Sequence, residues 1–293
     1  MKSPPFEYAR AASVEQACAL LSQHGDDAKI IAGGQSLVPM MAFRLLRPAW
    51  LIDINEIAAL KFVAPEADAV RMGACTRQCN IQRDNALAAS VPLLRQALAH
   101  VGHVQTRNRG TAGGSLVHAD PSAELPLVAQ ILEARMTLRT KSGARTLPAA
   151  DFFEDAMTTS VAPDECLTEI AWPVWRERKT GSAFTEISRR HGDFAIVAAA
   201  AQVAVDDDDG KCTRAAFGVG GVAPTPLAFP ALAQRLVGTR LEKETLRAVA
   251  HDAVATIEPG TDTHASADYR RHLAGVLIRR VLQSAYDDAR TVR

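Results

Sequence analysis

Two short strings pair glycines with hydroxyl side chains: AGGQSL at residues 32–37 and TAGGSL at residues 111–116. Glycine leaves backbone N–H groups accessible and tolerates positive φ. Successive N–H groups in such a turn make a concave nest for an anion. In the first string Gly33 and Gly34 precede Gln35 and Ser36; in the second, Thr111 and Ser115 flank Gly113 and Gly114. Either string alone reads first as an ordinary turn. Together they suit a ligand with two phosphates better than one. Neither string has the G-x-G-x-x-G spacing of a dinucleotide fingerprint, and no G-K-[ST] follows as in a P-loop.

The flanks carry further chemistry. Arg107 and Arg109 lie just before the second string. They either neutralise phosphates or form a solvated basic loop. His118, Asp120 and Glu124 follow it. They offer a metal or acid–base set, or a helix start with Asp120 or Ser122 as cap and Pro121 in the first turn. Cys75 and Cys79 are the only close pair among five cysteines, and no second pair completes a zinc or cluster site. No Ser/His/Asp or Cys/His arrangement points to nucleophilic catalysis, so neither a catalytic residue nor a metal site is assigned.

The elements that must hold these residues follow from periodicity. Residues 13–24 read as a helix capped by Ser13, with Gln16 completing a capping box. AKII (28–31) and WLIDI (50–54) read as short strands, the first running into the glycines. AVRMGA (69–74) reads as a strand followed by a helix through Ile81, and 90–101 as a helix capped by Ser90. Residues 102–124 show no period, and long irregular stretches are often functional. Residues 125–132 read as a helix or a buried apolar run, and RMTLRT (135–140) and CLTEIAWP (166–173) as strands. A polar stretch at 175–180 reads as a linker. Beyond it come two strands, an acidic hairpin tip at Asp206–Gly210 with its return strand, and helices at 242–257 and 265–289. The last third is therefore an α+β unit.

The 293 residues allow two medium domains or one large one. Apolar content of 47% and charged content of 23% suit a soluble globular chain. Lys+Arg and Asp+Glu both number 33, so no overall field draws in nucleic acid or an anionic membrane. No run reaches the ~18 apolar residues of a membrane span. The N-terminal MKSPPFEYAR lacks a signal-peptide core, and the odd, scattered cysteines read as reduced thiols. A cytoplasmic location is expected.

Four segments taken together, IIAGGQSLVPMM with RPAWLIDIN, TRNRGTAGGSLVHADPSAELP, and ISRRHGDFAIVAAAA, closely resemble the FAD-binding medium subunit of molybdenum hydroxylases. This group includes aerobic carbon monoxide dehydrogenase, the bacterial N-heterocycle dehydrogenases and the flavin domain of xanthine dehydrogenase. The resemblance runs in order along essentially the whole chain. It implies an α+β fold: a two-subdomain FAD domain of the vanillyl-alcohol-oxidase (PCMH) type at 1–177, divided near 57, then a C-terminal α+β domain at 178–293.

The resemblance places both strings on the FAD diphosphate. That covers Ile31, Ala32, Gly33, Gly34, Gln35, Ser36 and Leu37, and Thr111, Ala112, Gly113, Gly114 and Ser115. Gly33 and Gly113 would owe their small size to the approaching diphosphate. Glu124 matches an acid that meets the ribityl or ring-proximal part of the flavin, with Asp120 a second candidate. Val101 and Leu167 match flavin-proximal positions. Asp193 and Phe194 lie in the RRHGD-F segment that approaches the isoalloxazine. Phe194 stands where some members have tyrosine; a phenyl ring can cover a flavin face but donates no O–H bond. Thr185 stands near a lysine of the xanthine dehydrogenase branch, so no NAD site is inferred.

The implied function is electron transfer. A large subunit would hold a molybdenum cofactor, and a small one two [2Fe–2S] clusters that feed FAD on this chain. The set would form a dimer of heterotrimers, with an external acceptor still open. The substrate expected on the large subunit is an N-heterocycle or an aldehyde, with carbon monoxide as the alternative. A stand-alone flavin oxidase and a non-catalytic binding protein remain the other readings.

Overall fold

The computed structural model describes residues 2–292. Strand β1 (Glu7–Arg10) leads to helix α1 (Val14–His24), strand β2 (Ala28–Ile31), the short helix α2 (Leu37–Ala42) and strand β3 (Trp50–Asp53). The three strands form a parallel sheet in the order β1-β3-β2, with Trp50 opposite both Glu7 and Ala28. The Ser13 side chain caps α1 by accepting the Gln16 N–H at 3.2 Å. The Gln16 side chain reaches back to the Ala12 N–H at 2.7 Å, one residue before the cap. Val14, Ala17, Cys18 and Leu21 line one face of α1 and close a small core over Ile52 and Ile54. The carboxyl end of β2 is thereby fixed where the first glycine string begins.

The next segment comprises β4 (Val63–Pro65), β5 (Ala69–Gly73), α3 (Gln78–Arg83), α4 (Asn85–Ser90), α5 (Pro92–Leu98), α6 (Val104–Arg109), α7 (Ala112–His118) and α8 (Glu124–Ile131). It continues with β6 (Arg135–Arg139), β7 (Ala144–Pro148), α9 (Ala149–Phe152), β8 (Phe153–Asp155), β9 (Thr158–Thr159) and β10 (Cys166–Pro173). An antiparallel sheet runs β4-β5-β10-β6-β7. Leu94, Leu98, Leu127 and Val128 from the helices meet Met72, Met136, Ile170 and Trp172 from the strands in the main core.

Three local expectations change here. Ser90 does not cap a helix over 90–101; it ends α4, and its hydroxyl donates to Ala86 O at 3.1 Å. Pro92 starts α5, because its fixed φ suits a first helical position and its missing N–H costs nothing there. The stretch 102–124 is not structureless. It folds into α6 and α7, whose small and polar residues mask the helical period. Neither Asp120 nor Ser122 caps α8. Its N-cap is Ala123, while Asp120 Oδ1 accepts the Ser122 N–H at 2.8 Å in a turn ahead of the helix.

The C-terminal segment is one antiparallel sheet, in the order β11 (Lys179–Ile187), β12 (Val197–Val205), β13 (Cys212–Gly220) and β14 (Leu227–Ala228). The polar stretch read as a linker is already strand from Lys179 onward. Helices α10 (Pro230–Gln234), α11 (Lys243–Ala255) and α12 (Ala267–Thr291) follow. Every residue of β12 is buried. Ala198 and Ala200 join the core of Leu94 and Leu127, while Ala199, Ala201 and Val203 join that of α11 and α12. Small side chains let helices approach both faces of this strand. The fold is thus α+β throughout, in two packed parts.

Arg270 on α12 ties the sheet to its helices. Its buried guanidinium donates to Ile196 O at 2.5 Å, Gly221 O at 2.9 Å and Asp262 Oδ2 at 2.6 Å. Arg270→Met leaves those acceptors unpaired. It is expected to cost about 2–3 kcal/mol, read as a lower denaturant midpoint.

Candidate functional site

The two strings, 78 residues apart in the numbering of Gly33 and Thr111, lie against each other. A Cβ on Gly33 would collide with Arg109 O and come within 2.9 Å of Gly110 Cα. Thr111 bridges to Arg77, and the Gln78 N–H bonds Gly110 O at 3.0 Å, which fixes the second string to the start of α3. The strings nevertheless differ in what they offer a ligand.

In the second string the N–H groups from Ala112 to Ser115 are spent on the chain itself. Ala112 donates to Thr76 O, Gly113 to Ala74 O, Gly114 to Thr111 Oγ1 and Ser115 to Thr111 O. TAGGSL is a capped first helical turn rather than an open nest. In the first string, no chain acceptor takes the N–H groups of Gly33, Gly34, Gln35, Ser36 or Leu37 among the described residues. Gly34 has φ 71°, the left-handed conformation that glycine adopts without strain. A run of free N–H donors at a left-handed turn is what a diphosphate requires. The first string therefore fits as the cradle and the second as the wall opposite it.

The glycines of both strings are also small for a reason internal to the protein. A Cβ on Gly113 would lie 2.6 Å from Ala74 Cβ and 2.8 Å from Ala74 O. The close approach at Gly33 and Gly113 is thus to neighbouring chain, a reason for their small size that acts with or without a ligand.

Glu124 is the first residue of α8 and is only 7% exposed. Burial pushes its carboxyl up to about 8; the nearby Glu186 and Asp120 carboxylates push the same way, and Arg107 opposes them. Glu124 is therefore a protonated, donor-capable acid at neutral pH. Glu186, on β11, has one carboxylate oxygen 3.6 Å from His100 Nδ1 and the other buried without a partner. Gln96 Nε2 donates to Ser182 O at 3.1 Å along the same seam between α5 and β11.

The segment carrying Asp193 and Phe194 leaves β11 and packs against His103, the N-cap of α6. Gly192, at φ 87°, lies so close to His103 that a Cβ there would be 2.6 Å from the ring. The His103 and His191 rings are 6.2 Å apart. Phe194 is 64% exposed. Val101 is half-buried, and its carbonyl accepts from Arg107. Leu167 is buried in β10 opposite Leu138, inside the main core.

The flanking candidates resolve as follows. Arg107 is buried; its Nε donates to Gln82 Oε1 and its Nη1 to Val101 O and Gly102 O, so it pins a loop and is not part of a solvated basic surface. Arg109 stays exposed. Among the described residues no group of three His, Cys, Asp or Glu side chains could hold a metal, so His118, Asp120 and Glu124 make no such site. All five thiols are free; Cys75 is buried before α3 and held up to about 11 by that burial, while Cys79 lies on α3.

Sequence reasoning missed Asn55, Arg77, His100 and Glu186. Asn55 Nδ2 donates to Ala32 O at 2.7 Å, Arg77 Nη2 donates to Asn55 Oδ1 at 2.6 Å, and Arg77 Nη1 donates to Arg109 O. A polar residue just past a strand that neighbours the first string was the available hint for Asn55. The others depend on contacts between distant segments.

Two family models match: FAD binding domain in molybdopterin dehydrogenase over residues 4–175, and CO dehydrogenase flavoprotein C-terminal domain over residues 182–285. The chain is 40% identical to the 6-hydroxypseudooxynicotine dehydrogenase complex subunit alpha of Paenarthrobacter nicotinovorans, over 100% of this chain and 98% of that one. It is 36% identical to the caffeine dehydrogenase subunit beta of a Pseudomonas species, over 98% and 97%. A solved carbon monoxide dehydrogenase from Hydrogenophaga pseudoflava superposes with TM-score 0.94 at 36% identity, over 98% and 99%. These likenesses show the family: the chain belongs to the FAD-binding medium-subunit family of the molybdenum hydroxylases, as the flavoprotein component of an oxidoreductase.

Proposed function

We propose that this chain is the electron-transfer subunit of a heterotrimeric molybdenum hydroxylase, holding FAD between the clusters of a small iron–sulfur subunit and an external acceptor. The observation that carries this reading is the row of N–H donors from Gly33 to Leu37 that no chain acceptor takes among the described residues, in a string whose Gly33 packs against the entry to the second. Bound FAD can exchange electrons singly with clusters and in pairs with acceptors. The chain's own residues bind and orient it. The first string receives the diphosphate; Thr111 to Ser115 shape the opposing wall; Glu124 offers a proton-bearing carboxyl toward the ribityl chain; and Asp193 and Phe194 sit where an isoalloxazine ring could be covered. Asp120, Val101 and Leu167 complete the proposed surroundings.

The division into 1–177, with subdomains meeting near 57, and 178–293 belongs to the same reading. So does assembly with a large molybdenum subunit as a dimer of heterotrimers. A cytoplasmic location is supported by five free thiols. No described helix is long and apolar enough to cross a membrane.

An N-heterocycle or aldehyde is the favoured substrate of the assembly, because relatives named for 6-hydroxypseudooxynicotine and caffeine align along the chain. Carbon monoxide is the second reading, supported by the Hydrogenophaga structure. Purification from the native host tests the proposal. The expected product is a yellow chain with flavin absorbance, accompanied by two partners carrying molybdenum and iron. The isolated chain should not turn over the organic substrate. Turnover by the isolated chain would favour a self-contained oxidase, and a colourless chain that FAD cannot reconstitute would overturn the cofactor reading.

A further inference from the structure

The peptide groups of the first string can donate to an anion only if their carbonyls face the other way. In a planar trans peptide the C=O and the following N–H point in opposite directions. Ala32 O is held by Asn55 Nδ2 at 2.7 Å, so the Gly33 N–H is directed to the opposite side. Gly33 O is held by Gln35 Nε2 at 3.2 Å, which directs the Gly34 N–H in the same manner. Were these carbonyls released, a peptide flip would replace a donor with a negative dipole end at the mouth of the cradle.

Asn55 is itself fixed on every side. Its backbone N–H and its Nδ2 both donate to Asp53 Oδ1, at 2.8 and 2.7 Å. Its Oδ1 accepts from Arg77 Nη2 at 2.6 Å. These partners settle which end of the amide is which: a guanidinium demands the oxygen, and a carbonyl with a carboxylate demands the nitrogen. Asp53 is held in turn by the Tyr8 hydroxyl. The other arm of Arg77 donates to Arg109 O, the atom against which Gly33 rests. One chain of hydrogen bonds therefore joins the carbonyl that starts the first string to the carbonyl that precedes the second. The two strings stand on different sheets, so this link and the Gly33 contact join them directly, beside the Cys75 and Cys166 side chains that the first sheet's core also takes in.

Arg77 adds charge to this geometry. Both of its acceptors are neutral oxygens, and among the described residues it forms no salt bridge. Its positive charge is left uncompensated beside both strings, where a diphosphate would meet it.

We infer that Asn55, locked by Asp53 and Arg77, is a positioning residue for FAD: it holds the peptide between Ala32 and Gly33 in its donating orientation and couples the two strings through Arg77. The inference rests on the FAD reading above. It assigns a cofactor-binding role to residues that are not themselves part of either string.

The test uses the full chain, stripped of flavin and titrated with FAD, beside the melting temperature of the flavin-free form. Asn55→Ala is expected to weaken FAD binding about 10- to 100-fold, with the flavin-free melting temperature close to that of the wild type. Asn55→Asp keeps an acceptor for Arg77 but loses the donor to Ala32 O, and should weaken FAD as much. Arg77→Lys, which keeps the charge and one donor, should recover part of the affinity that Arg77→Ala loses. Asn55 variants that bind FAD within about twofold of the wild type would overturn the inference. So would an affinity loss matched by a fall in the flavin-free melting temperature, which marks a structural tie alone. A wild-type chain that binds no FAD would overturn the cofactor reading first, a result distinct from either.

Discussion

Gly33→Val is expected to yield a chain that retains no FAD. The branched side chain has nowhere to go: its first carbon already collides with Arg109 O and crowds Gly110 Cα. Those atoms are backbone, so relief means driving the first string away from the second. The separation of cradle and wall then changes, and the donors from Gly33 to Leu37 no longer converge. Overpacking at a tight site costs about 1–3 kcal/mol, and more where backbone must move. Gly113→Val acts from the other side, because its side chain would strike Ala74 and displace the first turn of α7. That variant should lose flavin and also lower the apparent melting temperature, since Gly113 is buried and α7 packs on the core. The flavin-to-protein absorbance ratio after gel filtration reads the first effect and a thermal melt the second. Stoichiometric flavin in both variants would refute the assignment of these strings.

The second large effect concerns pH. The Glu124 carboxyl is held at about 8 in the folded chain against 4.5 when unfolded. Between those values the folded chain keeps a proton that the unfolded chain has released. The contribution is therefore fully present below the lower value and is lost as pH rises through the upper one. Each unit of difference corresponds to about 1.4 kcal/mol, so the whole effect has a ceiling of several kcal/mol. Glu124→Gln keeps the shape and cannot ionise. Its flavin-free form should show a flatter stability profile from about pH 5 to pH 8 than the wild type and be the more stable of the two at the alkaline end. Parallel profiles would show that Glu124 is not buried as a neutral acid. The charged groups facing it come from three directions, Asp120 before α8, Arg107 on α6 and Glu186 on β11, and all three belong in the interpretation.

Much of this architecture was legible in the sequence where a local cause acts alone. Ser13 with Gln16 marks the start of α1, and the apolar runs at 28–31 and 50–54 mark β2 and β3 to within a residue. The DDDDG tip between β12 and β13 was equally plain. What escaped was structure whose cause lies elsewhere in the chain. α6 and α7 are too short and too polar to show a period, and they are helical because their ends dock on α3 and on the turn at Ala74. Ser90 has the chemistry of a cap, but Pro92 two residues later decides where the helix begins. The two glycine strings were visible as a pair, while their unequal roles were not. Only the partners of each N–H, supplied by Ala74, Thr76 and Thr111, separate the wall from the cradle.

The strand β12 has a consequence for how the protein can be divided. Its alternate alanines belong to two cores, one built by the helices of the first part and one by α11 and α12. Cutting the chain before β11 would strip a cover from Leu94, Leu98 and Leu127 and leave an oily face in water. The boundary between the two matched family segments is therefore not expected to be a boundary of cooperativity: the two parts should melt as one unit in a thermal scan.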